Sequence, residues 1–348
     1  MKNILTSVLI VLSLFIASCS GDKETPKSNE KPEQSKSNAT STKNNNIAQK
    51  ETPDVGFMFK ISLKKGANFA ISVKNDEEIT QELAGQKQSV KQTNQINYDF
   101  KVKSVDEFGN FTADITIRRI QKELDAGNGN KQYFDSKIKD DNNSDVPPDI
   151  KSLKSLIGKK YSITLTPLGK VTDVKGTDKM INSIIKKVDA DEKTNNLLRM
   201  ALMQEFGGDN VAHFYEKLFN YIDGNTHKQG DKWEKVYDIN IGVMLKVISD
   251  YQLTNISDNT LTIKLKSKLK DVTGKKNREI EGYIISMDVK GEQEGTIKIN
   301  KNNGFISQNT VTQRIYASET RAMKSDKSQR QTMKTTKKAK YTITVNTK

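Results

Sequence analysis

The fold is decided by residues 98–117, YDFKVKSVDEFGNFTADITI. Apolar and polar residues alternate in two runs, 98–102 and 113–117, on either side of a polar, glycine-containing segment at 106–110. Side chains of a strand point alternately to opposite faces, so this alternation predicts one buried face and one solvated face. Asp, Gly and Asn between the runs are typical turn residues. The stretch therefore predicts two neighbouring antiparallel strands.

The same period of two recurs along the chain, with turn residues between the runs. The further alternating runs are residues 58–63, 161–165, 261–265, 296–299 and 341–345. Turn composition is found at 257–260 and 300–304, whereas the long polar stretch 125–149 predicts an exposed loop. Antiparallel sheet is expected to dominate the fold.

Residues 177–221 are the exception, because their apolar residues recur at helical spacing. Three helices are predicted, the third beginning at a cap residue, Asp209. Their apolar faces are expected to pack on the sheet. These faces carry Met180, Ile181, Ile184, Ile185 and Val188; then Leu197, Leu198, Ala201, Leu202 and Phe206; then Val211, Phe214 and Leu218.

The predicted fold class is α+β, predominantly antiparallel β, with two similar β-rich halves bridged by short helices. The halves are residues 55–176 and 222–348, and the helical segment is 177–221. Landmarks follow in the same order in both halves, which suggests a duplication. The matched landmarks are Gly66 with Gly230, Phe69 with Trp233, Tyr98 with Tyr251, and Ile163, Leu165 and Gly169 with Ile297, Ile299 and Gly304.

The amino terminus has the composition of an export signal. Lys2 is followed by a mainly apolar run at 4–18, which is shorter than the roughly 20 residues that span a bilayer. Residues 16–19, Ile-Ala-Ser-Cys, resemble the lipobox of bacterial lipoproteins. The resemblance implies a signal peptide at 1–18, cleavage after Ser18, and lipid and acyl groups on Cys19.

Cys19 is the single cysteine of the 348 residues, so the chain cannot form an internal disulfide. Lipidation accounts for this lone thiol; the other interpretation is an ordinary cleaved signal followed by a chance cysteine. Residues 19–54 are polar and predict a lipidated, disordered tether. Ser20 does not resemble the aspartate that retains lipoproteins in the inner membrane of enteric bacteria. The expected location is therefore the cell outer membrane, on its periplasmic or surface face.

The formal net charge of +14 does not indicate nucleic-acid binding. Only 7 of the 57 basic residues are arginine, the residue that grips phosphates and bases with its planar fork. The expected partner is a membrane, contacted through the lipid anchor. Binding of nucleic acid is not expected.

Basic residues are concentrated near the carboxyl terminus, and one reading of them is contact with anionic headgroups or another envelope protein. The other reading is a solvated strand edge that lysines protect from aggregation. The candidate contact residues are Arg321, Lys324, Lys327, Arg330, Lys334, Lys337 and Lys338.

Several turns and strand starts resemble an uncharacterised Bacteroidetes lipoprotein family, known only as a domain of unknown function. The resemblance lies in Lys64-Lys65-Gly66, residues 105–112, Leu168-Gly169-Lys170-Val171, the central helices and residues 229–233. The family has no established activity, so the resemblance implies no catalytic or binding residue.

No catalytic residue, metal site or cofactor is predicted. His213 is expected to be a satisfied helix residue, His227 a surface loop residue, and Trp233 a hairpin anchor in the core. Residues 141–145 carry oxygen ligands at alternate positions, but a calcium loop would need Gly and Glu where Val146 and Ser152 stand.

Three functions are consistent with the sequence. The leading hypothesis is a non-catalytic envelope lipoprotein that binds an amphiphile or another envelope component in a concavity between sheet and helices. The second is a structural or interaction lipoprotein without a ligand pocket, and the third is a surface hydrolase with paired carboxylates or a histidine beside a hydroxyl.

Overall fold

A computed structural model describes residues 56–127, 129, 131–138, 147–240, 244–272, 278–280, 282–326, 328 and 330–348. The strands are β1 (Phe57–Met58), β2 (Asn68–Leu83), β3 (Gln86–Val105), β4 (Phe111–Asp125), β5 (Lys131–Asp135), β6 (Lys160–Leu165), β7 (Val171–Lys175), β8 (Thr226–His227), β9 (Lys232–Asn240), β10 (Met244–Ile256), β11 (Thr260–Asp271), β12 (Arg278–Ile280), β13 (Tyr283–Asn300), β14 (Ile306–Met323) and β15 (Arg330–Thr347). The helices are α1 (Pro148–Leu156), α2 (Thr177–Val188), α3 (Glu192–Phe206) and α4 (Gly208–Leu218).

One large antiparallel sheet dominates the molecule, as predicted. Its strand order is β7-β6-β4-β3-β2-β15-β14-β13-β11-β10-β9, with β5 paired to β4 and β12 paired to β13. A separate small sheet joins β1 to β8. Strand β15 lies between β2 and β14, so amino-terminal and carboxyl-terminal strands form a single continuous sheet.

The antiparallel connections place the turns at two ends of the sheet. The end with turns at 64–67, 106–110, 166–170, 228–231, 257–260 and 300–304 is called the entry end, because β1, close to the first described residue, pairs there with β8. The other end, with turns at 84–85 and 324–326, is called the distal end. At about 3.4 Å per residue, an 18-residue strand such as β14 spans roughly 60 Å between them.

The inner face of the sheet packs against the helices. Phe305 is central to this core, with its ring centroid 5.1 Å from Phe69, 5.3 Å from Phe100 and 5.5 Å from Phe219. All five predicted apolar residues of α2 are buried. A second, smaller core on the same sheet contains Leu245, Val247, Leu269 and Ile315, among others. The described residues of both cores, including the partly buried ones packed on them, lie between residues 57 and 345, so residues 20–348 contain them all.

The loop predicted at 125–149 was wrong in two places. β5 extends the sheet beside β4, and α1 begins at Pro148, a residue favoured in the first helical turn. The alternation signal is weak in β5, which is held by an ion pair between Arg119 of β4 and Asp135. The oxygen-bearing residues at 141–145, which were compared with a calcium loop, lie outside the described residues.

Two details of the predicted helices were also wrong. α4 begins at Gly208, so Asp209 lies inside its first turn and is not its cap. The side-chain cap is at α3, where Asp191 Oδ1 accepts a hydrogen bond of 3.0 Å from the Thr194 amide. In α3, Leu202 and Phe206 are buried, but Leu197 is exposed to solvent.

Gly304 lies close against the backbone of Lys60. It has a φ of +67°, and an added Cβ would lie 1.8 Å from the carbonyl oxygen of Lys60. The neighbouring Asn303 carbonyl accepts a hydrogen bond of 2.8 Å from the Ser62 amide. Residues 59–63 are thus fixed across the entry end of the sheet.

We expect Gly304→Ala to reduce the free energy of unfolding by more than about 3 kcal/mol, because it combines left-handed strain with a backbone collision. Gly85→Ala is the control: Gly85 has a φ of +81°, but an added Cβ would meet no atom within 4 Å. This control should lose only about 1 kcal/mol. Urea unfolding of both variants measures the difference; equal losses would contradict the close approach at Gly304.

Candidate functional site: a buried ion pair and a charged groove

A buried ion pair crosses the junction between β2 and β15. Glu77 Oε1 lies 2.6 Å from Lys337 Nζ, and neither side chain is exposed to solvent. Both residues are on the inner face, where Glu77 is opposite Ala339 and Lys337 is opposite Ile79. Isolated charges are very costly to bury, so each charge depends on the other.

Neutral donors complete the environment of the Glu77 carboxylate. Asn75 Nδ2 and Gln92 Nε2 each donate to it at 2.6 Å, and the Tyr341 hydroxyl donates at 3.3 Å. Burial lowers the pKa of Lys337, and the charge of Glu77 acts against this shift. Burial and the charge of Glu77 both raise the pKa of Tyr341 above its usual range. The network thus contains one buried carboxylate with several donors.

The position of Lys337 corrects its predicted role in contacting an anionic surface. Its side chain is fully buried, so it is not accessible to a headgroup. The physical reason is the parity of β15, in which Ala339 and Ile343 face inward with Lys337, whereas Lys338 and Lys340 face outward. The spacing by two from Lys337 to Ala339 was the signal in the sequence that could have shown this.

The other predicted contact residues are spread over the distal half of the sheet. Arg330, Lys334 and Lys338 are exposed on β15. Arg321 forms an ion pair with Glu319, and Lys324 with Glu279 at the distal end. Lys327 lies outside the described residues. Arg321 and Lys324 are thus paired with acidic residues, and contact of the predicted residues with an anionic surface stays a prediction.

We expect Lys337→Met to destabilise the protein by about 3–5 kcal/mol, because it leaves the Glu77 carboxylate buried without a counter-charge. The double variant Glu77→Gln with Lys337→Met should recover most of this loss, since both charges are then absent. Lys338→Met, on the exposed face, should change stability by less than about 0.5 kcal/mol. Urea unfolding followed by fluorescence of the single tryptophan measures all three; additive losses in the double variant would contradict the pairing.

An open groove lies on the outer face of the sheet, over the strands that hold the ion pair. Its volume is about 490 Å³, and it is lined by β2, β3, β4, β14 and β15. One wall is acidic and the opposite wall is basic. The mainly acidic wall contains Asp76, Glu78, Glu123 and Asp125 with Lys91 between them, and the basic wall contains Arg314, Lys338 and Lys340.

The two walls differ in how their charges are paired. Asp76 accepts hydrogen bonds from Lys74 at 2.9 Å and from Thr93 at 2.8 Å. On one side Lys338 lies opposite Arg314, a pair of like charges that destabilises a sheet. On the other side Lys338 lies opposite Glu78, and Lys340 opposite Asp76. Within the described part of the chain, the three basic-wall residues form no ion pair with an acidic side chain. The basic wall can therefore accept anionic groups of a partner.

The predicted surface position of His227 was wrong. The residue is buried, its ring centroid is 4.1 Å from that of Trp233, and its Nε2 lies 3.0 Å from Asp223 Oδ1. Burial acts to raise the pKa of Asp223, but hydrogen bonds from Asn225 and His227 outweigh it and lower the pKa overall. The pair closes the turn before β8.

Trp233 lies in the core, as expected, and its Nε1 donates to the carbonyl of Tyr221 at 2.9 Å. His213 lies on α4, with its Nδ1 3.8 Å from Glu216 Oε2. Among the residues with described positions, no three His, Cys, Asp or Glu side chains converge as metal ligands do. None of the helices within the described ranges has the length and apolar character needed to cross a bilayer.

These features define an α+β protein in which one wide antiparallel sheet carries a packed core on one face and a charged groove on the other. Residues 108–306, more than half of the chain, match a family of unknown function, DUF6263. The chain belongs to this family. The match includes the helices and the entry-end turns at 166–170, 228–231, 257–260 and 300–304, whereas Glu77 and Lys337 lie outside it. No curated protein matches the sequence.

Similarity to solved structures is distant. A structure of lipovitellin, described for its lipid–protein interactions, has 9% identity and a TM-score of 0.36 over 81% of this chain. The chain spans only 25% of that lipovitellin chain. Pseudomonas aeruginosa OccK7 (OpdD) has 6% identity and a TM-score of 0.22, with 82% of this chain and 100% of that chain covered. TM-scores this low do not establish a shared fold.

Proposed function

We propose that this protein is a membrane-anchored envelope lipoprotein that acts by binding another envelope component rather than by catalysis. The observation that carries the proposal is the groove, which is open to solvent and whose basic wall forms no ion pair with the acidic side chains of the described residues. Charged partners with complementary groups are attracted to such a surface and oriented on it.

The anchor is supported by the sequence alone. A short apolar segment ends in the lone Cys19, which resembles a lipobox, and the polar residues 19–54 form a tether between the lipid and the folded body. Two or more acyl chains hold a protein stably at a bilayer, whereas one does so only reversibly. The proposed location is the outer membrane, and the resemblance to Bacteroidetes lipoproteins supports it.

Binding at the outer face is favoured over an amphiphile site between sheet and helices. On the inner face, the aromatic rings of Phe69 and Phe219 pack against Phe305, with ring centroids 5.1 and 5.5 Å away. The groove is instead lined mainly by charged and polar side chains. For the hydrolase alternative, the described contacts of His227 are an acidic residue and aromatic rings rather than a hydroxyl.

We also propose that the two β-rich halves arose by duplication. The Gly66 amide donates to the Val102 carbonyl at 3.0 Å, and the Gly230 amide donates to the Leu253 carbonyl at 2.7 Å. Both turns therefore attach to the next long strand in the same way. By strand register, the counterpart of Tyr251 is Phe100 rather than Tyr98, because these residues oppose Trp233 and Phe69.

Replacing Cys19 by Ser is expected to release the protein from the membrane fraction and to abolish labelling by radioactive palmitate, because the thiol that receives the lipid is gone. Cell fractionation and metabolic labelling of the wild type and the variant test this. Equal membrane association and equal labelling of both proteins would contradict the anchor.

A photo-crosslinking amino acid at Thr312, inside the groove, is expected to give a specific adduct with an envelope component in intact cells. The same group at Thr332, an exposed threonine outside the groove, is the control. Lys338→Glu should reduce the Thr312 adduct at least severalfold, since it reverses a charge of the basic wall. Equal adducts at both positions, or none at Thr312, would contradict binding at the groove.

A further inference from the structure

Two neighbouring turns at the entry end expose large apolar side chains. Phe108, in the turn 106–110, is 76% exposed, and Leu168, in the turn 166–170, is 52% exposed. The turns touch, since a Cβ added to Gly109 would lie 3.2 Å from Pro167 Cγ. Phe108 and Leu168 are together called the apolar tip.

The turns that carry the apolar tip are well-formed. The Gly109 amide donates to the Asp106 carbonyl, and the Gly169 amide donates to the Thr166 carbonyl, at 3.1 and 2.9 Å. The Asp106 side chain also accepts a hydrogen bond of 3.0 Å from the Phe108 amide. Phe108 is therefore held in solvent by a defined turn, at a cost that burial against a partner would offset.

The apolar tip lies where the chain enters the body. Met58, which is also exposed, pairs with Thr226 in the small sheet. Two residues before Thr226, a Cβ added to Gly224 would lie 3.9 Å from Leu168 Cδ1. The segment preceding residue 56 thus joins the body beside the apolar tip, and the distal end is roughly 60 Å away along the strands.

We propose that the apolar tip inserts into the interface of the lipid bilayer and fixes the entry end of the sheet against it. This inference rests on the proposed function, in which lipid on Cys19 brings the entry end to a membrane. A lipid surface is the occupant that accepts isolated apolar side chains at a loop tip without a complementary pocket. Exposed lysines at the same end, Lys64, Lys65 and Lys170, add attraction to anionic headgroups, against Asp106 and Glu107 in the first turn.

The apolar tip orients the groove. The groove lies on the outer face toward the distal half of β2 and β15, so a body seated on its entry end holds the groove away from the headgroups. Insertion at one end therefore leaves the basic wall open to a partner outside the membrane.

A second exposed apolar group, Leu197, Met200 and Met203 of α3, is the competing contact. These residues are 61%, 69% and 41% exposed, and none of the contacts among the described residues places them beside the entry of the chain. Met200 therefore supplies a test that separates the two surfaces.

The test uses residues 20–348, which contain all the described core residues but lack Cys19, so binding does not depend on lipidation. Sedimentation with phosphatidylcholine vesicles, with and without phosphatidylglycerol, measures the partition coefficient. The double variant Phe108→Ser with Leu168→Ser is expected to lower it at least about tenfold, because apolar area no longer leaves water. Tyr133→Ser, at a 60% exposed aromatic residue toward the distal end, and Met200→Ser should leave it unchanged.

The depth of insertion is measured separately from the fluorescence of an introduced tryptophan. Phe108→Trp should give a blue-shifted emission that brominated lipids quench, whereas Tyr133→Trp should give neither effect; Trp233 supplies the same background in both. Absence of vesicle binding, loss of binding in Met200→Ser alone, or equal quenching of both tryptophan variants would overturn the proposal. None of these results affects the anchor, which is decided by the Cys19→Ser fractionation of intact cells.

Discussion

The structure depends on the pairing of β2 with β15, strands that are more than 240 residues apart in the chain. Without this pairing the sheet would divide into an amino-terminal and a carboxyl-terminal part. Glu77 and Lys337 lie on the inner face of this pair and form their buried contact only in the observed register. A slip of one residue would turn Lys337 outward and bring Thr336 or Lys338 to the inner face, leaving Glu77 without its partner. We infer that the ion pair selects the register rather than adding much net stability.

The same alternation of faces separates the two surfaces of the protein. On the inner face, apolar residues meet the helices and form the core around Phe305. The residues that alternate with these apolar residues along each strand point to the outer face, where solvent allows them to be charged. Neighbouring strands align these charged residues in rows across the sheet. The groove is a consequence of this arrangement, because acidic residues of β2 and β4 face basic residues of β14 and β15 across it.

Local periodicity was sufficient to predict the dominant antiparallel sheet and the buried face of α2. It could not predict strand order, since pairings such as β2 with β15 depend on the whole chain. β5 was missed because it is polar and is held by the Arg119–Asp135 ion pair, and His227 was misplaced because its burial depends on Trp233 and Phe59. Counting basic residues along the chain grouped Lys337 with exposed lysines. The alternation of side chains along β15, however, places Lys337 and Lys338 on opposite faces of the sheet. The groove combines strands from both ends of the chain, so no local stretch of sequence contains it.

The central position of β15 has a consequence for biogenesis. Residues 330–347 are synthesised after every other strand of the sheet, and on the proposed export route they also cross the inner membrane after them. Until they arrive, the facing edges of β2 and β14 have no partner on that side, and unpaired edges are sites of aggregation. Folding that relies on contacts so distant in sequence is slow. The newly exported chain is therefore prone to aggregation until β15 has paired with both β2 and β14.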